Sequence, residues 1–89
     1  MRAVITVLGK DMVGILAKVS AICADNSVNV MDVTQSVMQD LFAMIMLVDI
    51  SNIKIPFSQL ADRFSELGEK EGLTIHVMHE EIFNSMHKI

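Results

Sequence analysis

Val28-Asn29-Val30-Met31-Asp32-Val33-Thr34-Gln35-Ser36-Val37-Met38-Gln39-Asp40-Leu41-Phe42-Ala43-Met44-Ile45-Met46-Leu47-Val48-Asp49-Ile50 is the stretch whose reading decides the fold. Val28, Val30, Val33, Thr34 and Val37 favour extended backbone and predict a strand over 28–38, although the alternation is imperfect. Residues 41–50 form an apolar run bounded by polar residues, which predicts a second strand. Only Gln39-Asp40 separates the two. A two-residue connection between strands predicts an antiparallel hairpin.

On the N-terminal side, Val4 to Leu8 is β-branched and apolar and closes at Gly9, which predicts a first strand. From Val13 the period changes. Ile15, Leu16, Val19, Ile22 and Cys23 recur at helical spacing, Asp11 is the expected N-cap, and Asp25-Asn26-Ser27 ends the helix. On the C-terminal side a loop over 51–55 leads to Pro56, expected in a first helical turn. Phe57, Leu60, Ala61, Phe64 and Leu67 form a second apolar stripe that stops at Gly72. Residues 73–79 read as a last strand, and Ile82, Phe83, Met86 and Ile89 as a short amphipathic helix. Strand, helix, strand, strand, helix, strand predicts an α+β, ferredoxin-like βαββαβ sandwich. It has a four-stranded antiparallel sheet with two helices on one face. The expected division is a domain over 1–79 and a helical extension over 80–89.

The chain has 89 residues, enough for one domain, with 7 Lys+Arg against 11 Asp+Glu and a net charge of −4. That balance argues against non-specific nucleic-acid binding. Hydrophobic residues make up 52% of the chain, which excludes a disordered tail. Its only cysteine, Cys23, cannot form an intrachain disulfide and fits a reducing cytoplasm. The longest apolar run, residues 41–48, is far short of the ~20 a membrane helix needs, and no signal peptide is expected. Residues 41–48 are apolar at every position, so the sheet face away from the helices should also be covered. The C-terminal helix, a second copy of the chain, or both are the expected covers. The eight methionines suit such an adaptable surface.

The segment richest in chemistry is Gly9-Lys10-Asp11-Met12-Val13-Gly14-Ile15-Leu16, between the first strand and the first helix. Gly9 permits positive φ and close approach of a ligand, and Gly14 in a first helical turn leaves N–H groups open to a carboxylate. The bland reading is a plain turn with a close helix–strand contact. This segment, Gly9-x-Asp11-x-x-Gly14-Ile15-Leu16, with Asn29-Val30-Met31-Asp32 after it, resembles the ACT domain over 1–79. The likeness is to the ACT domains of glycine-cleavage regulators and to small stand-alone ACT proteins. It implies a regulatory module that binds a small molecule, often an amino acid, between the first loop and a neighbouring subunit. Where that family usually has Arg then Pro, this chain has Met12 and Val13. The departure removes a cation for a ligand carboxylate and favours an apolar ligand or a protein–protein role.

Asn29 and Asp32 are expected to touch a ligand amino group, or else to be a turn residue and a solvated edge residue. In this topology their strand lies at a sheet edge, whose free N–H and C=O groups can pair with a second copy across a two-fold axis. Other chemistries find little support. Cys23 sits on an apolar stripe and reads as a buried thiol. His76 and His79, three apart on a strand, point to opposite faces and cannot share a metal. Glu80-Glu81 are helix-start acids, not a facing carboxylate pair. The chain lacks the strand aromatics of RNA-recognition modules, the Cys-x-x-Cys of copper chaperones and the loop arginine of acylphosphatases. The expectation is a non-enzymatic, ligand-sensing regulator without cofactor or metal, dimeric or larger, in the cytoplasm. Its ligand site is expected over Gly9, Lys10, Asp11, Met12, Val13, Gly14, Ile15 and Leu16 with Asn29 and Asp32, and a regulated protein is its expected partner. The competing reading is a protein–protein adaptor that uses the open sheet face and the C-terminal helix.

Overall fold

The hairpin around Gln39 and Asp40 is present in the computed structural model, which describes residues 1–10 and 14–86. Its turn holds Gln39 at φ 54°. The elements are β1 (Arg2–Gly9), α1 (Ile15–Asp25), β2 (Asn29–Met38), β3 (Leu41–Asp49), α2 (Phe57–Glu71), β4 (Thr74–His79) and α3 (Glu80–Met86). The strands form one sheet in the order β2-β3-β1-β4, with every neighbouring pair antiparallel. This is the ferredoxin-like arrangement, and it leaves β2 and β4 at the edges.

β1 and β3 are the central strands, and their register sorts the side chains. Ala3, Ile5 and Val7 stand opposite Val48, Met46 and Met44, and all six are buried. Against them pack Ile15, Val19 and Cys23 of α1 and Leu60 and Phe64 of α2, each set spaced by four along its helix. Burying a large apolar side chain contributes roughly 1.5–3 kcal/mol, so this layer carries most of the driving force.

The imperfect alternation of β2 has a specific cause. Val30 pairs with Val48, Asp32 with Leu47 and Val33 with Met46, so Met31 is the extra residue of a β-bulge. The bulge lets Val30 and Val33, an odd number of residues apart, share the core-facing side.

Several boundaries differ from the sequence reading. The first helix starts at Ile15 with Gly14 in the cap position, not with Asp11 as N-cap and helix from Val13; Asp11, Met12 and Val13 lie outside the described residues. Gly14 is at φ 72° and ψ 2°, a left-handed conformation that glycine adopts without a Cβ clash, so the chain turns into the helix there. Pro56 precedes the first turn of α2 as its cap residue, at ψ 148°. Leu16 is 42% exposed because the sheet takes up only the 15-19-23 line of α1. Gly9 ends β1 opposite Phe42 without positive φ; its bare Cα makes room for the Leu73 side chain. Ile89, expected on the tail helix, lies outside the described residues.

α2 ends as expected at Gly72, at φ 69°. One turn earlier, the Gly68 carbonyl accepts the Leu73 N–H at 2.8 Å. A Cβ on Gly68 would stand 2.7 Å from the Leu73 carbonyl oxygen. The expected outcome is that Gly68→Ala destabilises the fold by about 1–3 kcal/mol, although alanine is the better helix former. Thermal unfolding followed by circular dichroism checks it; an unchanged or raised midpoint would show that α2 and β4 do not depend on this close approach.

Candidate functional site

The first loop leaves the sheet at the same end as the β2–β3 turn, since Gly9 pairs with Phe42 and Phe42 with Val37. Lys10 is exposed there, and Gly14 is exposed at the start of α1. Among the described residues no side chain caps that helix, and its first turn holds no acidic residue. The first helical hydrogen bond runs from the Lys18 N–H to the Gly14 carbonyl at 3.0 Å. The N–H groups before it lie at the positive end of the helix, the end suited to an anion such as a carboxylate. Among the described residues a Cβ on Gly14 would meet nothing within 4 Å. Of the two apolar residues expected to wall a ligand, Leu16 is exposed and Ile15 is buried in the core. Asp11, Met12 and Val13 belong to the expected set but lie outside the described residues.

Asn29 and Asp32 are elsewhere. Asn29 is in register with Asp49 and hence Arg2, at the opposite end of the sheet. Asp32 is in register with Leu47 and hence Val4, five residues before Gly9 along β1, or roughly 17 Å at strand rise. Both are exposed. The Asp32 carboxylate accepts the Val33 N–H at 2.9 Å. That hydrogen bond lies beside the bulge. Within one copy, therefore, the two groups of expected ligand residues do not converge.

Two surface clefts flank the sheet. One of about 410 Å³ adjoins the first loop and includes Gly9 and Lys10, with Leu8, Leu41, Glu71 and Thr74. Its size falls in the range of small-ligand sites. Glu71 also accepts a hydrogen bond from the Lys18 ammonium, which ties α2 to α1 beside this cleft. The second, of about 500 Å³, lies at the opposite end between Arg2, His79, Glu80 and Ile82. Sequence reasoning named Gly9 and Lys10 of the first cleft and none of the second, because each brings together residues from distant segments.

His79 stacks on Phe57 with ring centroids 4.1 Å apart, while His76 is exposed on the other face of β4. Burial pushes the Cys23 thiol up from 9.0 to about 11, the reverse of what a nucleophile needs. Asp49 is held below its ordinary value by hydrogen bonds from Ser51, the hydroxyl first and then the N–H. Among the described residues no three His, Cys, Asp or Glu side chains gather to hold a metal, and no helix is long and apolar enough to cross a membrane.

A family model described as the ACT domain matches residues 2–78. A UPF0237 protein of Clostridium perfringens is 52% identical over 89 residues, covering 100% of both chains. The solved ACT domain protein from Streptococcus pneumoniae is 36% identical, covers 93% of each chain and superposes with a TM-score of 0.81. A proposed glycine cleavage system transcriptional repressor shares the fold at 23% identity and a TM-score of 0.70, over 85% of this chain and 43% of its own.

Two outcomes follow from the geometry. Gly14→Ala should lose about 1–2 kcal/mol through the left-handed cap alone, and Gly14→Asn distinctly less, since asparagine tolerates that conformation. Denaturant titration of both checks this; equal losses would mean a cause other than φ. For Cys23 the unfolded thiol ionises near 9.0 while the folded one holds its proton to about 11. Stability should therefore fall as pH rises between these values. Urea titrations across pH 8–11 should show that slope, and Cys23→Ala should flatten it.

Proposed function

We propose that this chain, which belongs to the ACT domain family, is a non-catalytic regulatory module. It senses a small molecule, an amino acid in the first instance, through a site completed by a second copy. The observation that carries this reading is the separation of the two expected ligand groups along the sheet, combined with the free edge of β2. Antiparallel pairing of two β2 strands about a two-fold axis reverses one copy relative to the other. Centred near Thr34, it sets Asn29 of one copy beside the hairpin turn of its partner, at the end that holds Gly9, Lys10 and Gly14. Three strand spacings then separate Gly9 from the partner's strand, about 14 Å, which side chains and a small ligand can span.

In this site the open N–H groups at the start of α1, with Lys10, take the ligand carboxylate. Asp32 and Asn29 of the second copy take its ammonium group. Leu16 supplies apolar contact; Asp11, Met12 and Val13, also in the expected set, lie outside the described residues. The first loop carries no arginine, so backbone N–H groups and Lys10 bear the anion. A chain of this kind acts by changing its contact with a separate regulated protein when the ligand binds. The single buried thiol fits a cytoplasmic setting.

Thermal-shift measurements against the twenty amino acids test the reading. At ~100 times its dissociation constant a native-state ligand adds about 2.7 kcal/mol, which corresponds to about 11–22 °C for a domain this small. One or two amino acids should give that shift. Gly14→Val and Asp32→Asn should each abolish it, and so should Gln35→Pro, which spoils the free edge. A flat screen on folded protein sinks amino-acid sensing. A shift that survives Gln35→Pro sinks the shared site.

A further inference from the structure

The cleft of about 410 Å³ beside the first loop bends round one end of the sheet. Leu8 stands in register with Thr74 of β4 and Ala43 of β3, and Leu41 is two residues before Ala43. Side chains alternate along a strand, so Leu8, Leu41 and Thr74 share the side of the sheet away from α1 and α2. Glu71 ends α2 on the other side, and Lys10 follows directly on β1. All five line the cleft, and their chemistry is divided. Leu8 and Leu41 are 44% and 40% exposed and form an apolar floor. The Glu71 carboxylate accepts a hydrogen bond from the Lys18 ammonium, so its charge is matched within the chain. Thr74 adds one hydroxyl. The charge left over is the positive one of Lys10, which is exposed.

We infer, resting on the amino-acid reading above, that this cleft receives the side chain of the ligand and selects an apolar one. A ligand carboxylate on Lys10 cancels the leftover charge. The side chain then lies on Leu8 and Leu41. Leu41 adjoins the hairpin turn, the place to which that reading brings the groups that take the ammonium. The other side-chain classes fit worse. A basic one adds a third cation beside Lys10 and Lys18. An acidic one meets Glu71 and loses water against two leucines without gaining a partner. A serine-sized one covers little of the floor, and apolar area removed from water is what the floor offers. One buried methylene contributes about fourfold in affinity. Leucine, isoleucine, methionine and phenylalanine should therefore bind at least about tenfold more tightly than alanine, even in a cleft open on one side.

Isothermal titration of the full chain with those four amino acids, and with alanine, serine, aspartate and lysine, tests the inference. The apolar four should bind most tightly. Leu41→Asp should weaken them by about tenfold or more and move the preference toward lysine. Leu8→Ser should weaken them as well. Both leucines are partly exposed, so the circular dichroism of each variant should match the wild type. Should Leu41→Asp fail to fold, Leu8→Ser decides alone. Ile45→Ser, on the same side of the sheet but outside the cleft, should leave binding as it is. Tightest binding by serine, aspartate or lysine overturns the inference while amino-acid sensing stands. Apolar binding that is indifferent to both leucine substitutions does the same. Heat from none of the amino acids removes the sensing reading, and this inference with it. Apolar binding that falls with Leu41→Asp yet survives Gln35→Pro upholds the cleft and rejects the second copy's share in the site.

Discussion

The pairing of β1 with β3 is the constraint on which the rest of this structure depends. Both strands are apolar at almost every position, so hydropathy alone does not say which side faces the helices. Their mutual register settles it: Ile5 against Met46 and Val7 against Met44 put the bulkier buried set on one side. A slip of one residue on either strand would turn that strand's whole set over. The helices reinforce the choice, because Ile15, Val19, Leu60 and Phe64 fill the space above those pairs. Two helices can roof only one side of four strands, and the character of the other side follows from that.

Much of this was legible in the sequence. The helices announced themselves through a change of period and the strands through β-branched or apolar runs, and the two-residue break at Gln39-Asp40 was enough to orient the hairpin. What could not be read came from contacts between distant segments. Gly68 looks like an ordinary helix position until β4 is seen passing beneath it, with the Leu73 carbonyl in the way of a side chain. Gly9 has the same explanation, through the Leu73 side chain rather than through an unusual turn. Asp11 has the chemistry of a cap, yet Gly14 occupies the cap position, because the chain needs a left-handed residue to enter α1. The valine spacing in β2 looked irregular because the rule of alternation has no place for a bulge residue such as Met31.

The candidate site was legible as a set of residue types and not as a place. The glycines and open N–H groups of the first loop lie at one end of the sheet, and Asn29 at the other. Sequence proximity to a motif says nothing about which end of a strand a residue occupies. An antiparallel sheet separates residues at strand starts from those at the ends of neighbouring strands. Such a separation can be undone by symmetry. For that reason the functional reading of this chain is inseparable from how copies of it meet.

The bulge at Met31 bears on what kind of object such meetings can build. An open sheet edge is an invitation to unlimited growth, since each added strand presents a fresh edge to the next. This chain offers two edges of unequal quality. β4 has six residues and runs directly into α3, so little straight backbone is left for a neighbour. β2 has ten residues, but the bulge and the Asp32 carboxylate on the Val33 N–H interrupt its first part. The stretch of β2 beyond the bulge is its regular part, and an edge once paired is no longer open. Chains with one usable edge join in pairs and stop. A bulged edge and a short edge are features by which sheet proteins limit such growth, and this chain carries both.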